Sequence, residues 1–344
     1  MGSFPVMASP TIIDVAARAG VSKSSVSRVL RGSPLVSEEA RAAVLHAIEE
    51  LGYRPNAAAR TLVGRQSNAI GVLVSDLYNP FFPMVLDGID AVAEEHGYTS
   101  LIVMGKRRSQ TEEHALGQLL ERQVDGIVAV TERLSPEALV KAARSTPLAT
   151  LTRTPRIPRI DTVVSDNREG AKLVVDHLVA LGHTRIAVLA DVREHAGAER
   201  IEGYKAAMNG HRLAREVRVV NAPLTQRGGY DATRELLAEA DTVTAIFAGN
   251  DMCAFGVLDA LADLGMQVPQ DMSVVGYDNT PVAALRTISL ATVEQFATKI
   301  GAEAMQSVLA RLKRRDRPAR HVMVPPRLIE RATTAPPRGV IVKP

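Results

Sequence analysis

Between residues 11 and 52 the apolar positions recur at helical spacing in three short stretches. Ile12, Val15, Ala16 and Ala19 stand at i, i+3, i+4 and i+7, one stripe of a helix. Thr11 and Asp14 open that stripe as a capping box, a hydroxyl for the first free backbone N–H groups with an acid three residues later. Gly20 ends it, because glycine tolerates the left-handed turn. Ser22 then caps a second helix, Lys23–Leu30, whose Val26, Val29 and Leu30 face inward. A third starts at Ser37, has Glu38 and Glu39 beside its positive end, and buries Ala40, Val44, Ile48 and Leu51 until Gly52. Two short helices joined across a tight glycine turn predict a helix-turn-helix, here in a three-helix headpiece.

From residue 68 the pattern changes. Short apolar runs at 70–74, 101–103, 126–130, 148–151, 185–189, 245–248 and 273–276 predict strands. Amphipathic stretches near 82–96, 111–122, 136–144, 168–181, 199–209, 229–240 and 252–264 predict the helices between them. Buried runs separated by helices mean an α/β body of doubly wound parallel sheets. About 270 residues is large for one such unit, so two lobes are expected. Between head and body, Pro55 interrupts the helical pattern, Asn56 offers a cap, and 57–63 favours helix until Gly64. Seven residues are too few for a helix stable on its own in water, which predicts a conditional helix; a linker with no switching role is the plainer reading.

Charge sharpens the division. Residues 1–66 hold eight basic residues against five acids, while the remainder carries 33 of each, so the net +3 resides in the head. A neutral body with a basic head suggests a polyanion as the head's partner. On the second helix Lys23, Ser24, Ser27 and Arg28 point outward, with no acid among them. Cations and hydroxyls for phosphates, and an arginine fork for guanine edges, are what a helix needs in the major groove. The alternative is an ordinary solvated face of a small bundle.

Other classes lose support. The chain contains no GxSxG, GxGxxG, Walker loop or HExxH, and its eight histidines never fall at metal-ligand spacing. Each histidine reads as solvated or helix-capping. No apolar run is long enough to span a membrane, and no signal peptide is visible, so export is not expected. The single Cys253 fits a reducing cytoplasm and reads as a small buried apolar side chain. No cofactor is implied.

In open α/β sheets, ligands sit beyond the carboxyl ends of strands or between lobes. That rule selects Tyr78, Asn79, Phe81 and Phe82 after the first strand, Asn250 and Asp251 after 245–248, and Asp278 after 273–277. The chain has six Tyr, six Phe and no Trp, yet three aromatics fall within 78–82. Rings that stack on C–H faces, with amides and carboxylates for hydroxyls, suit a sugar-like ligand. The competing reading makes Phe81 and Phe82 core and leaves Asp251 and Asp278 as caps.

Six blocks then carry a resemblance: Thr11-Ile12-Ile13-Asp14-Val15-Ala16 through Gly20-Val21-Ser22 with Val26-Ser27-Arg28-Val29-Leu30; Leu51-Gly52-Tyr53-Arg54-Pro55-Asn56; Asn79-Pro80-Phe81-Phe82; Leu181-Gly182-His183; and Val274-Val275-Gly276-Tyr277-Asp278-Asn279. Over about residues 11–336 the chain resembles the LacI/GalR family of bacterial transcriptional regulators. The resemblance implies a homodimeric repressor that binds a pseudo-palindromic double-stranded operator under the control of a small effector. A family member that activates, or a sugar-binding transport protein, is the alternative. An enzyme using Asp251 or Asp278 as a base has no visible nucleophile or metal partner.

The resemblance implies a flexible 1–10, a DNA-binding domain at 11–55, a hinge helix and linker at 56–67, and a periplasmic-binding-protein-like body at 68–340. Its lobes are 68–165 with 295–323, and 166–294 with 324–340. Base-reading positions fall on Lys23, Ser24 and Arg28, and the minor-groove wedge on Leu62. The candidate DNA contacts are therefore Thr11, Lys23, Ser24, Ser25, Ser27, Arg28, Arg31, Asn56, Arg60 and Leu62. The candidate effector contacts are Tyr78, Asn79, Phe81, Phe82, Thr152, Arg153, Arg200, Asn250, Asp251 and Asp278. The chain departs from the family at Thr152, where a carboxylate is frequent, at Arg31 in place of Asn, and at Gln295-Phe296 in place of Gln-Pro. The lost carboxylate implies that a ligand hydroxyl is either unpaired or replaced by an acceptor such as phosphate or carboxylate. A leucine-heptad tail that makes tetramers is absent from the short, proline-rich 335–344, so a dimer is expected.

Overall fold

A computed structural model describes residues 10–30, 33–53, 67–131, 133–151, 157, 159–238 and 243–338. The chain divides into two units, residues 1–67 and 68–344, and each has its own apolar core.

The head is built from α1 (Ile12–Ala19), α2 (Lys23–Leu30) and α3 (Glu38–Leu51). The capping box at Thr11 and Asp14 is formed, and Gly20 and Gly52 end α1 and α3 with φ of 66° and 61°. Its core is Val15, Ala16, Val26, Val29, Val44 and Ala47. Ala47 is not among the expected inward positions, while Leu30, Ala40, Ile48 and Leu51 are only half-buried. A bundle this small has too little interior to cover every residue of each stripe. Arg18 reaches Glu50 at 2.6 Å and ties α1 to α3.

In the body, β1 (Ala69–Val74), α4 (Phe81–Glu95), β2 (Thr99–Met104), α5 (Ser109–Glu121), β3 (Gly126–Val130), α6 (Pro136–Ser145), β4 (Leu148–Leu151) and β5 (Asp161–Ser165) follow in order. Then come α7 (Asn167–Ala180), β6 (Ile186–Ala190), α8 (His195–Gly210), β7 (Arg218–Asn221), α9 (Gln226–Ala238), β8 (Ala245–Ala248), α10 (Asp251–Asp263) and β9 (Ser273–Val275). Finally β10 (Thr292–Glu294), α11 (Ala297–Lys313), β11 (His321–Val324) and β12 (Arg327–Ile329) complete the described chain.

Parallel pairing gives one sheet in the order β11-β5-β4-β3-β1-β2 and a second in the order β7-β6-β8-β9; β10 and β12 pair antiparallel. Apolar clusters line both faces of each large sheet, which is why β3, β6 and β8 read as unbroken apolar runs. Strand β11 returns to the first sheet from the end of the chain, and β12 then leaves it.

The apolar-run reading omits β5, β7, β10, β11 and β12, and the helix α11. In β5, Asp161 breaks the run, yet it is fully buried because Arg311 and Arg317 neutralise it. His183 corrects the expectation of solvated histidines: it is 1% exposed, with its ring nitrogens against Thr244, Ser273 and the Ala335 carbonyl. Cys253 is buried, and burial pushes its thiol up to about 12. Phe296 takes φ 59°, which proline cannot adopt, so the departure from Gln-Pro changes the backbone itself.

Candidate functional site

In the head, α2 presents Lys23, Ser24 and Arg28 to solvent. Ser22 lies before it, its hydroxyl 2.8 Å from that of Ser24 and 2.9 Å from that of Ser25. Ser25 and Ser27 are half-buried, so their reach outward is shorter. The Thr11 hydroxyl donates to Asp14 at 2.7 Å and accepts from its backbone N–H at 3.4 Å. That cap occupies Thr11, whose structural role is thus to start α1. Bonding from the Thr11 backbone and side chain holds the Asp14 carboxyl below its ordinary value. Among the described residues, the outer face of α2 is cationic and hydroxylic. Arg31, Asn56, Arg60 and Leu62 lie outside the described residues.

In the body, a cavity lies at the carboxyl ends of strands from both sheets. Its first wall comes from Ser75, Asn79, Phe81 and Phe82 after β1, Arg107 after β2, Arg133 after β3, and Ser165 and Asn167 at the end of β5. The second comes from Glu194 and Arg200 after β6, Leu224 after β7, Asn250 after β8 and Asp278 after β9, with Gln295 alongside.

Phe81 and Phe82 meet edge-to-face, centroids 5.6 Å apart, and belong both to the core of the first sheet and to the cavity wall. The two readings of these rings are not exclusive. Asn79 is held by its own loop: its backbone N–H donates to Asp76 at 3.0 Å and its Oδ1 accepts from Phe81 N–H at 3.0 Å. That leaves Nδ2 to donate across the cavity to Asp278 at 3.2 Å. Gln295 Nε2 donates to the other oxygen of Asp278 at 2.5 Å. Arg200, 4% exposed, donates from Nε to Asn167 Oδ1 at 3.0 Å and from Nη1 to the Gly249 carbonyl, with its guanidinium 3.7 Å from the Tyr277 ring centroid. Asn250 caps α10 through Cys253 N–H at 2.8 Å and donates to the Leu224 carbonyl at 3.2 Å.

Two expected contacts fall elsewhere. Tyr78 is 87% exposed and does not line the cavity; its backbone N–H turns onto Asp76, which aims the ring at solvent. Asp251 is fully buried and serves as a bolt, accepting from Thr280 N–H at 2.7 Å, Thr280 Oγ1 at 2.9 Å and Thr292 Oγ1 at 2.6 Å. The competing reading, a helix-end carboxylate, describes it. Thr152 and Arg153 lie outside the described residues.

Sequence reasoning missed Arg107, Arg133 and Glu194. Arg107 donates to Asp76 at 2.9 Å and to Glu194, and Arg133 stands 3.5 Å from Glu194 and 3.8 Å from Asp191. Burial opposes the Arg107 charge, but Glu194 and Asp76 outweigh it and raise its pKa above the ordinary value. The strand-end rule applied to β2, β3 and β6 selects all three positions, although no aromatic or amide marks those loops in the way that 78–82 is marked. Among the described residues no group of three His, Cys, Asp or Glu side chains is placed to hold a metal ion. No described helix is long and apolar enough to cross a membrane.

Residues 11–56 match the profile described as bacterial regulatory proteins, lacI family, and residues 175–334 match a periplasmic binding protein-like domain. Catabolite control protein A of Priestia megaterium is 33% identical over 94% of this chain and 99% of its own. The ribose operon repressor of Halalkalibacterium halodurans is 34% identical over 94% of this chain and 97% of its own. The crystal structure of the lac repressor dimer bound to operator and the anti-inducer ONPF superposes with a TM-score of 0.85 at 28% identity, over 95% of this chain and 99% of that one. The chain belongs to the LacI family of bacterial regulatory proteins.

Proposed function

We propose that the cavity between the two sheets holds a small polyhydroxylated effector, a sugar, sugar phosphate or polyol, and that its occupancy sets the operator affinity of a homodimer. The chain is a DNA-binding repressor regulated by a small ligand and not an enzyme. The observation that carries the finer reading is the cross-cavity bond from Asn79 to Asp278, flanked by Phe81, Phe82 and Arg200. A ligand that takes over those donors and acceptors touches both sheets at once, so its binding energy acts on the angle between them. Sugar rings stack on Phe81 and Phe82 while hydroxyls exchange bonds with Asn79, Asn250, Arg200 and Asp278. In the head, Lys23, Ser24 and Arg28 read bases, with Ser25 and Ser27 nearer the phosphates. Ligand and DNA are then linked thermodynamically through the hinge and linker at 56–67.

The test has two stages. A thermal-shift screen of sugars, sugar phosphates and polyols identifies the effector, since a ligand that binds the folded state raises the melting temperature. Binding to a twofold-symmetric duplex is then titrated with and without that ligand, for the wild type, Arg28→Ala and Arg200→Ala. Arg28→Ala is expected to lose about 1–3 kcal/mol and relax specificity at one base pair. Arg200→Ala is expected to abolish the ligand response and spare DNA binding. A bound ligand that leaves duplex affinity unmoved removes the allosteric reading.

A further inference from the structure

A second cavity shares no lining residue with the first. It lies where α6 and α11 end, beside the turn that leads into β11. Five arginines line it, Arg144, Arg159, Arg311, Arg315 and Arg317, against one carboxylate, Asp316.

Its floor is organised by Asp161, the first residue of β5. Asp161 is fully buried and accepts from Arg311 Nε at 3.0 Å, Arg311 Nη2 at 2.9 Å, Arg317 Nη2 at 2.5 Å and the Arg320 backbone N–H at 2.8 Å. Arg311 turns its Nη1 to the carbonyls of Arg315 at 3.2 Å and Arg317 at 3.1 Å, which shapes the turn. One buried carboxylate therefore faces two guanidinium groups. The Arg317 Nε is buried and has no hydrogen-bond partner among the described residues. Burial, with repulsion from Arg311 and Arg320, holds the Arg317 guanidinium below its ordinary pKa although Asp161 pulls the other way.

The rim is more cationic still. Arg144 and Arg159 are exposed, and among the described residues neither side chain forms an ion pair. Arg159 sits at φ 66°, a backbone conformation uncommon for a residue with a Cβ. Arg315 reaches across to the Ser145 carbonyl and bridges the ends of α11 and α6. With Asp161 and Asp316 counted against the five arginines, a surplus of three positive charges surrounds one concavity. Cations so gathered repel one another, and a multivalent anion relieves that repulsion. Guanidinium forks match the paired oxygens of phosphate, and a single phosphate group leaves part of the surplus unmet.

We propose that this cavity is a binding site for a small diphosphate-bearing molecule, with Arg144, Arg159 and Arg315 at the rim as the gripping forks over a floor fixed by Arg311, Arg317 and Asp161. The occupant is defined by its two adjacent phosphate groups, whether free or esterified to an organic moiety. It is separate from the effector of the first cavity.

Calorimetric titration of the full chain with inorganic pyrophosphate, and in parallel with sulfate and ADP, tests this. One pyrophosphate is expected per chain, bound more tightly than sulfate. The double variant Arg144→Glu/Arg159→Glu alters two exposed side chains that form no ion pair among the described residues, and is expected to weaken pyrophosphate binding by roughly ten- to a hundredfold or more, the share of a charged hydrogen bond. Arg107→Gln, in the first cavity, is expected to leave it intact. Tighter binding of ADP indicates an esterified occupant, and equal binding a free one. Failure of pyrophosphate to bind, unchanged binding by the double variant, or loss in Arg107→Gln instead overturns the proposal.

Discussion

Asp251 and Asp278 show how one residue type takes two roles through its surroundings. Burial raises the pKa of Asp251 to about 7, the charge of Asp278 adds to it, and hydroxyl and N–H donors from Thr292 and Thr280 partly offset it. A folded-state value above the unfolded 3.8 means that the folded chain holds more protons between those limits, so this carboxyl's contribution to stability falls as pH rises through that window. His177 and His183, lowered by burial, act in the opposite sense below 6.5. Comparing the wild type with Asp251→Asn isolates the carboxyl. The expected outcome is that urea midpoints of the wild type gain on the variant as pH falls from 7 to about 5; parallel curves would show that Asp251 is ionised throughout. Tyr78 and Asp251 also show why chain position alone misassigns a role. Both flank the cavity in sequence, but the turn at Asp76 rotates one out and the Thr280–Thr292 donors hold the other behind the wall.

At the scale of elements, α4 and α11 pack backbone to backbone. A Cβ at Gly88 would lie 1.9 Å from the Thr298 carbonyl oxygen, and one at Gly301 2.1 Å from that of Val85. No flexible side chain can yield there, so the two helices must separate. Gly88→Ala is expected to destabilise the body by about 1–3 kcal/mol in denaturant unfolding, the cost of overpacking. Gly117→Ala on α5 meets nothing within 4 Å and is expected to stabilise by about 0.5–1 kcal/mol through the entropy of the unfolded chain. Equal effects at both sites would contradict the close approach. The buried stripe of α11 (Ala297, Ile300, Gly301, Ala304, Met305, Val308 and Leu309) stands at helical spacing, so this helix is legible from periodicity although the apolar-run reading omits it.

Across the whole body, a charged clasp spans the mouth of the cavity. Arg107 and Arg133 come from the first sheet, Glu194 and Asp191 from the second, and Asn79–Asp278 closes the interior. Glu194 is nearly buried, so its bond to Arg107 is little screened. Glu194→Gln is expected to remove about 1.5–3 kcal/mol from the arrangement that this clasp holds. Small-angle scattering of the ligand-free protein should then give a larger radius of gyration for the variant. An unchanged radius, with unchanged effector affinity, would mean that the clasp does not govern closure.

Much of this is legible from the chain alone because it is local. Helix caps, the i, i+3, i+4 stripes of α1–α3 and the alternation of apolar runs with amphipathic helices are set within a few residues, so Thr11, Gly20 and β3 find their places without reference to any distant contact. The cationic face of α2 follows from the same periodicity. Which strand ends converge is a different matter, because it depends on strand order. Strand order brings Arg107 and Arg133 to the edge that meets Glu194, and β11, arriving from the far end of the chain, sets Arg311 and Arg317 on Asp161 beside Arg144 and Arg159 of the same cavity. Burial then decides the chemistry: a carboxylate in the interior is a bolt, a cavity-wall acceptor or an arginine anchor according to the donors that non-local pairing supplies, and no window of sequence contains them.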